Sequence, residues 1–324
     1  MNDIKTDPVK KQPIIWTQNL TKQFNDTTVV QDINLDIPHG LIFGFVGPSG
    51  SGKTTTIRML TGIYAPTEGE IRVMGKAPTR FSRRDRENIG YMPQHFVLYP
   101  DLNVGENMNF AASIYGVSRG RSKRMHELLD FVELEDDRRK LARKLSGGMQ
   151  RRLSLAATLI HDPDLLFLDE PTAGIDPVLR RKFWDYFEEL RNKGKTLFVT
   201  TQYVGEAASC DLVGVMGEGK LLVVDTPVGL RKKALGGDVV ILKTKERIHY
   251  EHLTAINKLP CVLRNIERPS EAEARIVVDD ASTAIPDIME CCAQVDLTVD
   301  SIQEYLPPFD DIFVALIRRY SQDA

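Results

Sequence analysis

Apolar positions along the chain follow two periods, and the periods mark the elements. Near the start, IIWTQNL, TTVVQDINLDI and LIFGFV are short β-type runs, with His39-Gly40 turning the second into the third. In TTTIRMLTGI the apolar positions fall at helical spacing, and IRVMG returns to strand character. Residues from about 103 to 161 read as mostly helical, with charged faces such as RGRSKRMHELLDFVE that suit solvated helix surfaces. LLFLDEP is a buried strand ending in acids. PVLRRKFWDYFEELRNKGK is an amphipathic helix closed by Gly194, and LFVTTQ is a further strand. Strands alternating with helices imply a mainly parallel sheet. Gly236-Gly237 reads as a domain boundary. Beyond it VVILKT, a helix around HLTAINKL, ARIVVDD, a helix around AIPDIMECC and a final FDDIFVALIRRY suggest a small α+β domain. There is no internal repeat, so each motif below occurs once.

The length of 324 residues suits one large domain and a small one. A hydrophobic content of 42% with 27% charged residues is that of a soluble globular protein. The net charge of −3 gives no overall pull towards nucleic acid or an anionic membrane. No apolar run approaches the ~18 residues of a membrane span, so no direct crossing is expected. The start, MNDIKTDPVKKQP, is polar and reads as a disordered tail over residues 1–12 instead of a signal peptide. Cys210, Cys261, Cys291 and Cys292 form no CxxC or zinc pattern, which fits a reducing cytosol. Small buried side chains are a simpler reading of Cys291-Cys292 than a redox pair. His249 and His252 have the spacing of metal ligands, but no metal site is expected of them.

Three stretches carry chemistry. GPSGSGKTT, from Gly47 through Pro48, Ser49, Gly50, Ser51, Gly52, Lys53, Thr54 and Thr55, matches GxxxxGK[ST] between a strand and a helix. Glycines let the backbone wrap a phosphate, exposed N–H groups point inward, and the helix presents its positive end. In such a loop Lys53 reaches the β- and γ-phosphates and the Thr54 hydroxyl ligates Mg²⁺. LLFLDEP delivers two acids to the carboxyl edge of the sheet. Asp169 is expected to hold Mg²⁺ through water, and Glu170 to orient or deprotonate the attacking water. LSGGMQ opens the helix RRLSLAATLI, so Ser146 and the N–H groups of Gly147 and Gly148 form a second anion seat at a helix start. Gln202 stands just past the carboxyl end of LFVTT, at the edge where open α/β sheets bind ligands.

In this order and spacing the motifs resemble the ATP-binding cassette (ABC) ATPase family over roughly residues 14–230. GPSGSGKTT looks like its Walker A, LLFLDEP its Walker B and LSGGMQ its signature. Gln94 in YMPQ resembles the Q-loop glutamine, a further ligand towards the metal. Asp176 in AGIDP resembles the D-loop acid, and Phe24 in LTKQF the aromatic that stacks on adenine. The resemblance implies an α/β P-loop ABC ATPase domain over 13–235. Its parts would be a mostly parallel core sheet, an antiparallel β subdomain and a helical subdomain at about 95–163, followed by a small α+β domain over 236–324. It implies ATP and Mg²⁺ as cofactors. Two cassettes would dock head to tail, each ATP lying between the Walker A of one and the signature of the other. One copy of each motif then calls for a second cassette, itself or a relative, and transport would need a separate permease.

TTQYVGEA, NVGENMNFAASIYG and the closing DDIFVAL resemble the drug-resistance (daunorubicin-type) branch, which pairs with ABC-2 type permeases. In that branch TTQY is common where most ABC proteins have the switch histidine, which puts Gln202 in a catalytic position. An exporter subunit on the cytoplasmic face of a bacterial membrane is implied. Two stretches depart from the branch: VGEAASCDLVGVMGEGK is looser than usual, and PSGSG replaces the common PNGAG. The alternatives are a soluble ABC ATPase of a non-transport assembly and a regulatory cassette that hydrolyses weakly; an intact Glu170 argues against the second.

Overall fold

A computed structural model describes residues 12–263 and 266–322, with side chains to residue 320. The tail expected over 1–12 lies outside the described residues save Gln12. The chain divides after Val224 into two compact units. The first holds, in chain order, β1 (Ile15–Phe24), β2 (Thr27–Ile37), β3 (Ile42–Val46), α1 (Lys53–Leu60), β4 (Glu68–Val73), α2 (Arg83–Glu87), β5 (Ile89–Met92), α3 (Val104–Ile114), α4 (Arg121–Phe131), α5 (Gly147–Leu159), β6 (Leu165–Asp169), α6 (Pro177–Asn192), β7 (Thr196–Thr201), β8 (Leu212–Gly217) and β9 (Lys220–Asp225).

Six strands form the main sheet in the order β5-β6-β7-β3-β8-β9, parallel from β5 through β8. β3, β6 and β7 are buried along their whole length, which accounts for their unbroken apolar runs. At the sheet's centre the Phe198 ring lies 5.2 Å from both Phe43 and Phe45 and 5.7 Å from Phe167. Truncating Phe198 to alanine there costs about 3–5 kcal/mol. The register sets Val46 beside Thr201 and Asp169 beside Thr200. The glycine turn after β3, the acids after β6 and Gln202 after β7 therefore leave the sheet at one edge.

A second, antiparallel sheet runs β2-β1-β4 and buries Ile15, Leu20, Ile33 and Val73. In the helical segment α3 and α4 pack on α5. Asn103 opens α3 with a capping box, accepting from the Glu106 N–H at 2.8 Å while Glu106 accepts from the Asn103 N–H at 2.8 Å.

The second unit contains α7 (Pro227–Leu235), β10 (Asp238–Thr244), α8 (Tyr250–Asn257), β11 (Glu267–Ser270), β12 (Glu273–Val278), α9 (Ala281–Gln294), β13 (Val299–Glu304) and α10 (Phe309–Gln322). Its sheet order is β11-β12-β10-β13, with β10 antiparallel to β12 and β13. From β10 on, the chain order βαββαβ with this arrangement is the ferredoxin-like split βαβ pattern. Val240, Leu242, Ile276, Ile288 and Cys292 share its core. Cys291 and Cys292 are both buried on α9.

Gly236-Gly237 is a turn inside this unit. Gly236 closes α7 in the left-handed region at φ 78°, and a Cβ on Gly237 would stand 2.4 Å from the Val278 carbonyl oxygen. The units divide ahead of this pair because α7 packs on α10 and β10. Among the described residues no helix is long and apolar enough to cross a membrane.

Candidate active site at the carboxyl edge of the sheet

The loop after β3 is shaped by its glycines. Gly50 and Gly52 hold φ of 79° and 96°, and a Cβ on Gly52 would meet the Val29 carbonyl oxygen at 2.8 Å. α1 begins at Lys53, whose ammonium folds back to donate to the Gly47 and Pro48 carbonyls at 2.7 and 2.9 Å. Burial pulls the Lys53 pKa below its ordinary value, while Glu170 and Asp169 act in the opposite sense. Ser51 Oγ is buried without a hydrogen-bond partner. Ser49, Gly50, Gly52, Lys53, Thr54 and Thr55 line a pocket of about 150 Å3 with Val29, Gln94 and Glu170.

The acids are held from β7. Thr200 donates its hydroxyl to Asp169 Oδ1 at 2.6 Å and accepts from the Glu170 N–H at 3.0 Å. Asp169 is fully buried, and its Oδ2 has no hydrogen-bond partner. Glu170 sits at φ 53°, a left-handed conformation that costs a non-glycine residue about 1–3 kcal/mol. Arg151, on α5, reaches both sides of this corner. One Nη donates to the Glu170 carbonyl and the other to the Gln94 carbonyl, the latter at 2.7 Å. Burial lowers the Arg151 pKa, opposed by Glu170 and Asp169. Sequence reasoning missed Thr200 and Arg151. The signal for Thr200 was a threonine pair closing an apolar strand; Arg151 looked like one charge among several on a helix.

Other residues lie apart from the pocket lining. Gln202 is exposed directly after β7. Ser146 is exposed and caps α5, accepting from the Met149 N–H at 3.3 Å, and Gly147 has open space where a Cβ would stand. Asp176 caps α6, its Oδ1 accepting from the N–H groups of Val178 and Leu179 at 3.1 and 3.0 Å. Phe24 ends β1 and is 39% exposed; its ring lies edge-on to Tyr64 at 5.4 Å, and the Lys22 ammonium lies 5.0 Å from its centroid.

A glycine turn after β3, a buried lysine and two consecutive acids at the end of β6, all at one edge of the parallel sheet, define a P-loop nucleotide site, and the comparisons carry that class to a family. A family profile described as ABC transporter matches residues 30–173. The chain belongs to the ABC transporter family of ATP-binding proteins, whose cassettes are ATPases. It is 32% identical over 314 residues to the linearmycin resistance ATP-binding protein LnrL of Bacillus subtilis, covering 96% of this chain and 100% of that protein. It is 35% identical to the daunorubicin/doxorubicin resistance ATP-binding protein DrrA of Streptomyces peucetius, covering 95% and 94%. A probable multidrug ABC transporter ATP-binding protein of Escherichia coli, YbhF, is 37% identical across 69% of this chain, and the match spans only 39% of that protein. The dimeric, post-hydrolysis cassette MJ0796, described as bound to ADP and Pi, superposes with a TM-score of 0.60 at 27% identity, over 65% of this chain and 98% of its own. An ATP-binding subunit of an ABC transporter shares the fold at a TM-score of 0.64 and 24% identity, over 68% of this chain and 92% of that one.

Proposed function

We propose that this chain binds and hydrolyses ATP to drive a separate ABC-2 type permease, as a drug-resistance type exporter subunit. The observation that carries the reading is the convergence of Lys53, Gln94 and Glu170 on one pocket, with Asp169 close enough to act on the Lys53 charge. Near full-length similarity to two drug-resistance ATP-binding proteins supports the branch.

The residues divide the work. Lys53 exchanges the carbonyls of Gly47 and Pro48 for phosphate oxygens, and the N–H groups of 50–54 wrap the phosphates. Phe24, exposed at the end of β1, is the aromatic on which the adenine would stack. Thr54, Gln94 and Asp169 are oxygen donors that suit a hard cation, and the unpartnered Oδ2 of Asp169 fits that role. An Mg²⁺ held by these residues would supply charge neutralisation for the phosphates. Glu170 orients the attacking water and takes its proton. The Gln202 amide has two donors and one acceptor, so it can reach both the γ-phosphate and the water. Ser146, Gly147 and Gly148 would meet the nucleotide of a second cassette, with Asp176 at the shared face; that the cassette MJ0796 is dimeric supports a paired arrangement.

Exposed Val97, Tyr99, Phe110 and Ile114 on the helical segment give a face for a membrane-protein partner. That partner would hold the chain at the cytoplasmic side of the bacterial membrane. Steady-state turnover of the purified chain tests hydrolysis. Co-purification with a polytopic permease supports the transporter assignment, and a soluble assembly partner in its place would favour the non-transport reading.

A further inference from the structure

Glu206 is a buried carboxylate with no part in the scheme above. It lies on the 3-10 turn after Gln202, and its side chain is only 6% exposed. Its two oxygens are used separately. Oε1 accepts from the Thr172 hydroxyl at 2.7 Å, and Oε2 accepts from the Thr201 hydroxyl at 2.6 Å. Both bonds are short and charge-assisted. Thr172 belongs to the segment that follows Glu170, and Thr201 is the last residue of β7.

The polarity of this cluster is fixed. Thr201 Oγ1 also accepts from the Tyr203 N–H at 2.9 Å, so its only proton must go to Glu206. Gln202 is thus held between two residues that are both tied, directly or through Thr201, to one carboxylate. Arg180 closes the cluster. Its Nε lies 3.8 Å from Glu206 Oε1, its guanidinium stacks 4.4 Å from the Tyr203 ring, and its Nη2 donates to the Ile175 carbonyl at 3.2 Å. A buried ion pair is poor evidence of stabilisation, since desolvation offsets much of the attraction. Its use here lies in what it joins.

We propose that Glu206 is a positioning residue for Gln202, locking the strand end that carries this amide to the 172–176 segment between Glu170 and α6. The inference rests on the reading of Gln202 as the residue that meets the γ-phosphate. Movement of the 172–176 segment, which ends in Asp176, would then be felt at Gln202 through Thr172 and Arg180.

Glu206→Gln keeps the shape and removes the charge. An amide turned with its NH2 towards Thr172 sets a donor against Arg180; turned the other way, it leaves the Thr201 proton without an acceptor. Either way one tie is lost. The test is steady-state ATP turnover and KM for four full-length chains: wild type, Glu206→Gln, Gln202→Ala and the double variant. The expected result is a drop in kcat of about tenfold for Glu206→Gln with KM for ATP unchanged, and no further drop when it is added to Gln202→Ala. Arg180→Gln, which alters the more exposed end of the cluster, is expected to show the same pattern with a smaller drop. It serves as the readout where Glu206→Gln lowers the melting midpoint. If Gln202→Ala is slow and Glu206→Gln slows it again by the same factor, Glu206 acts independently and the inference is overturned, while the reading of Gln202 stands. If Gln202→Ala turns over like wild type, that reading fails and the inference falls with it.

Discussion

Two turns of the first unit are built alike, as glycines leading into a helix start, yet they stand in opposite surroundings. Around Lys53 the chain supplies its own counter-charges: Asp169 and Glu170 are buried, Thr200 and Arg151 hold them, and Gly47 and Gly52 leave no room for a Cβ. Around Ser146 and Gly147 the surface is open, and a Cβ on Gly147 would touch nothing. The same anion-binding device is closed by its own chain in one place and left facing outward in the other. The difference supports a nucleotide shared between two cassettes, one giving the closed corner and the other the open turn. Gln202 lies between these extremes, since its side chain is exposed while its neighbours are pinned from within.

Breaking the closed corner gives the largest effect. Glu170→Gln is expected to lower kcat by about 10²–10⁴-fold with ATP affinity kept, the usual range for a lost general base. Turnover beside equilibrium ATP binding checks both halves of the statement. Gel filtration of the same variant with saturating ATP should show association of two chains, since ATP then stays uncleaved between them.

Arg151→Ala comes next. It removes two charged-donor bonds to the carbonyls of Glu170 and Gln94, each worth about 1.5–3 kcal/mol. A fall in kcat of about 10–100-fold is expected, and Arg151→Lys should not restore it, because a single ammonium cannot span both carbonyls as the planar fork does. Wild-type turnover in Arg151→Ala would mean that the left-handed turn at Glu170 holds itself.

Gln202→Ala should slow turnover by about tenfold, one transition-state hydrogen bond, with ATP binding nearly unchanged. Gln202→His should retain or raise turnover and add a protonation step near about pH 6.5, which the amide cannot show. A pH profile of the two chains side by side separates them.

The smallest effect contrasts the two glycine turns by stability alone. Gly52→Ala forces a Cβ against the Val29 carbonyl at a positive φ, and overpacking of this kind costs about 1–3 kcal/mol. Gly147→Ala should stay within about 0.5 kcal/mol of wild type. Denaturant midpoints of the two variants give the comparison directly.

Much of this was readable in the chain. The unbroken apolar runs of β3, β6 and β7 announced buried parallel strands, and the turns that follow them announced the pocket. Strands without such runs were not readable. β5 is only IGYM, β8 is broken by Gly214, and β13 reads VDSIQE; pairing with neighbours, not local pattern, makes them strands. Gly236-Gly237 stood out as a break, but a glycine pair equally serves as a helix stop and a close approach, which is its use here. Arg151 and Thr172 carried no motif, and Glu206 lay inside TTQYVGEA without a role of its own. Arg151 meets Glu170 from 19 residues away, and Thr172 meets Glu206 from 34 residues away because β6 and β7 pair side by side.

The most direct test of the shared site mixes two inactive chains. Lys53→Ala spoils the closed corner, and Ser146→Arg spoils the open turn. In a mixed pair one nucleotide position meets both lesions, while the other combines an intact corner with an intact turn. If two copies of this chain share ATP, each variant alone is inactive, and an equimolar mixture regains about a quarter of wild-type turnover, as random pairing requires. A mixture no more active than the mean of its two components would contradict the account.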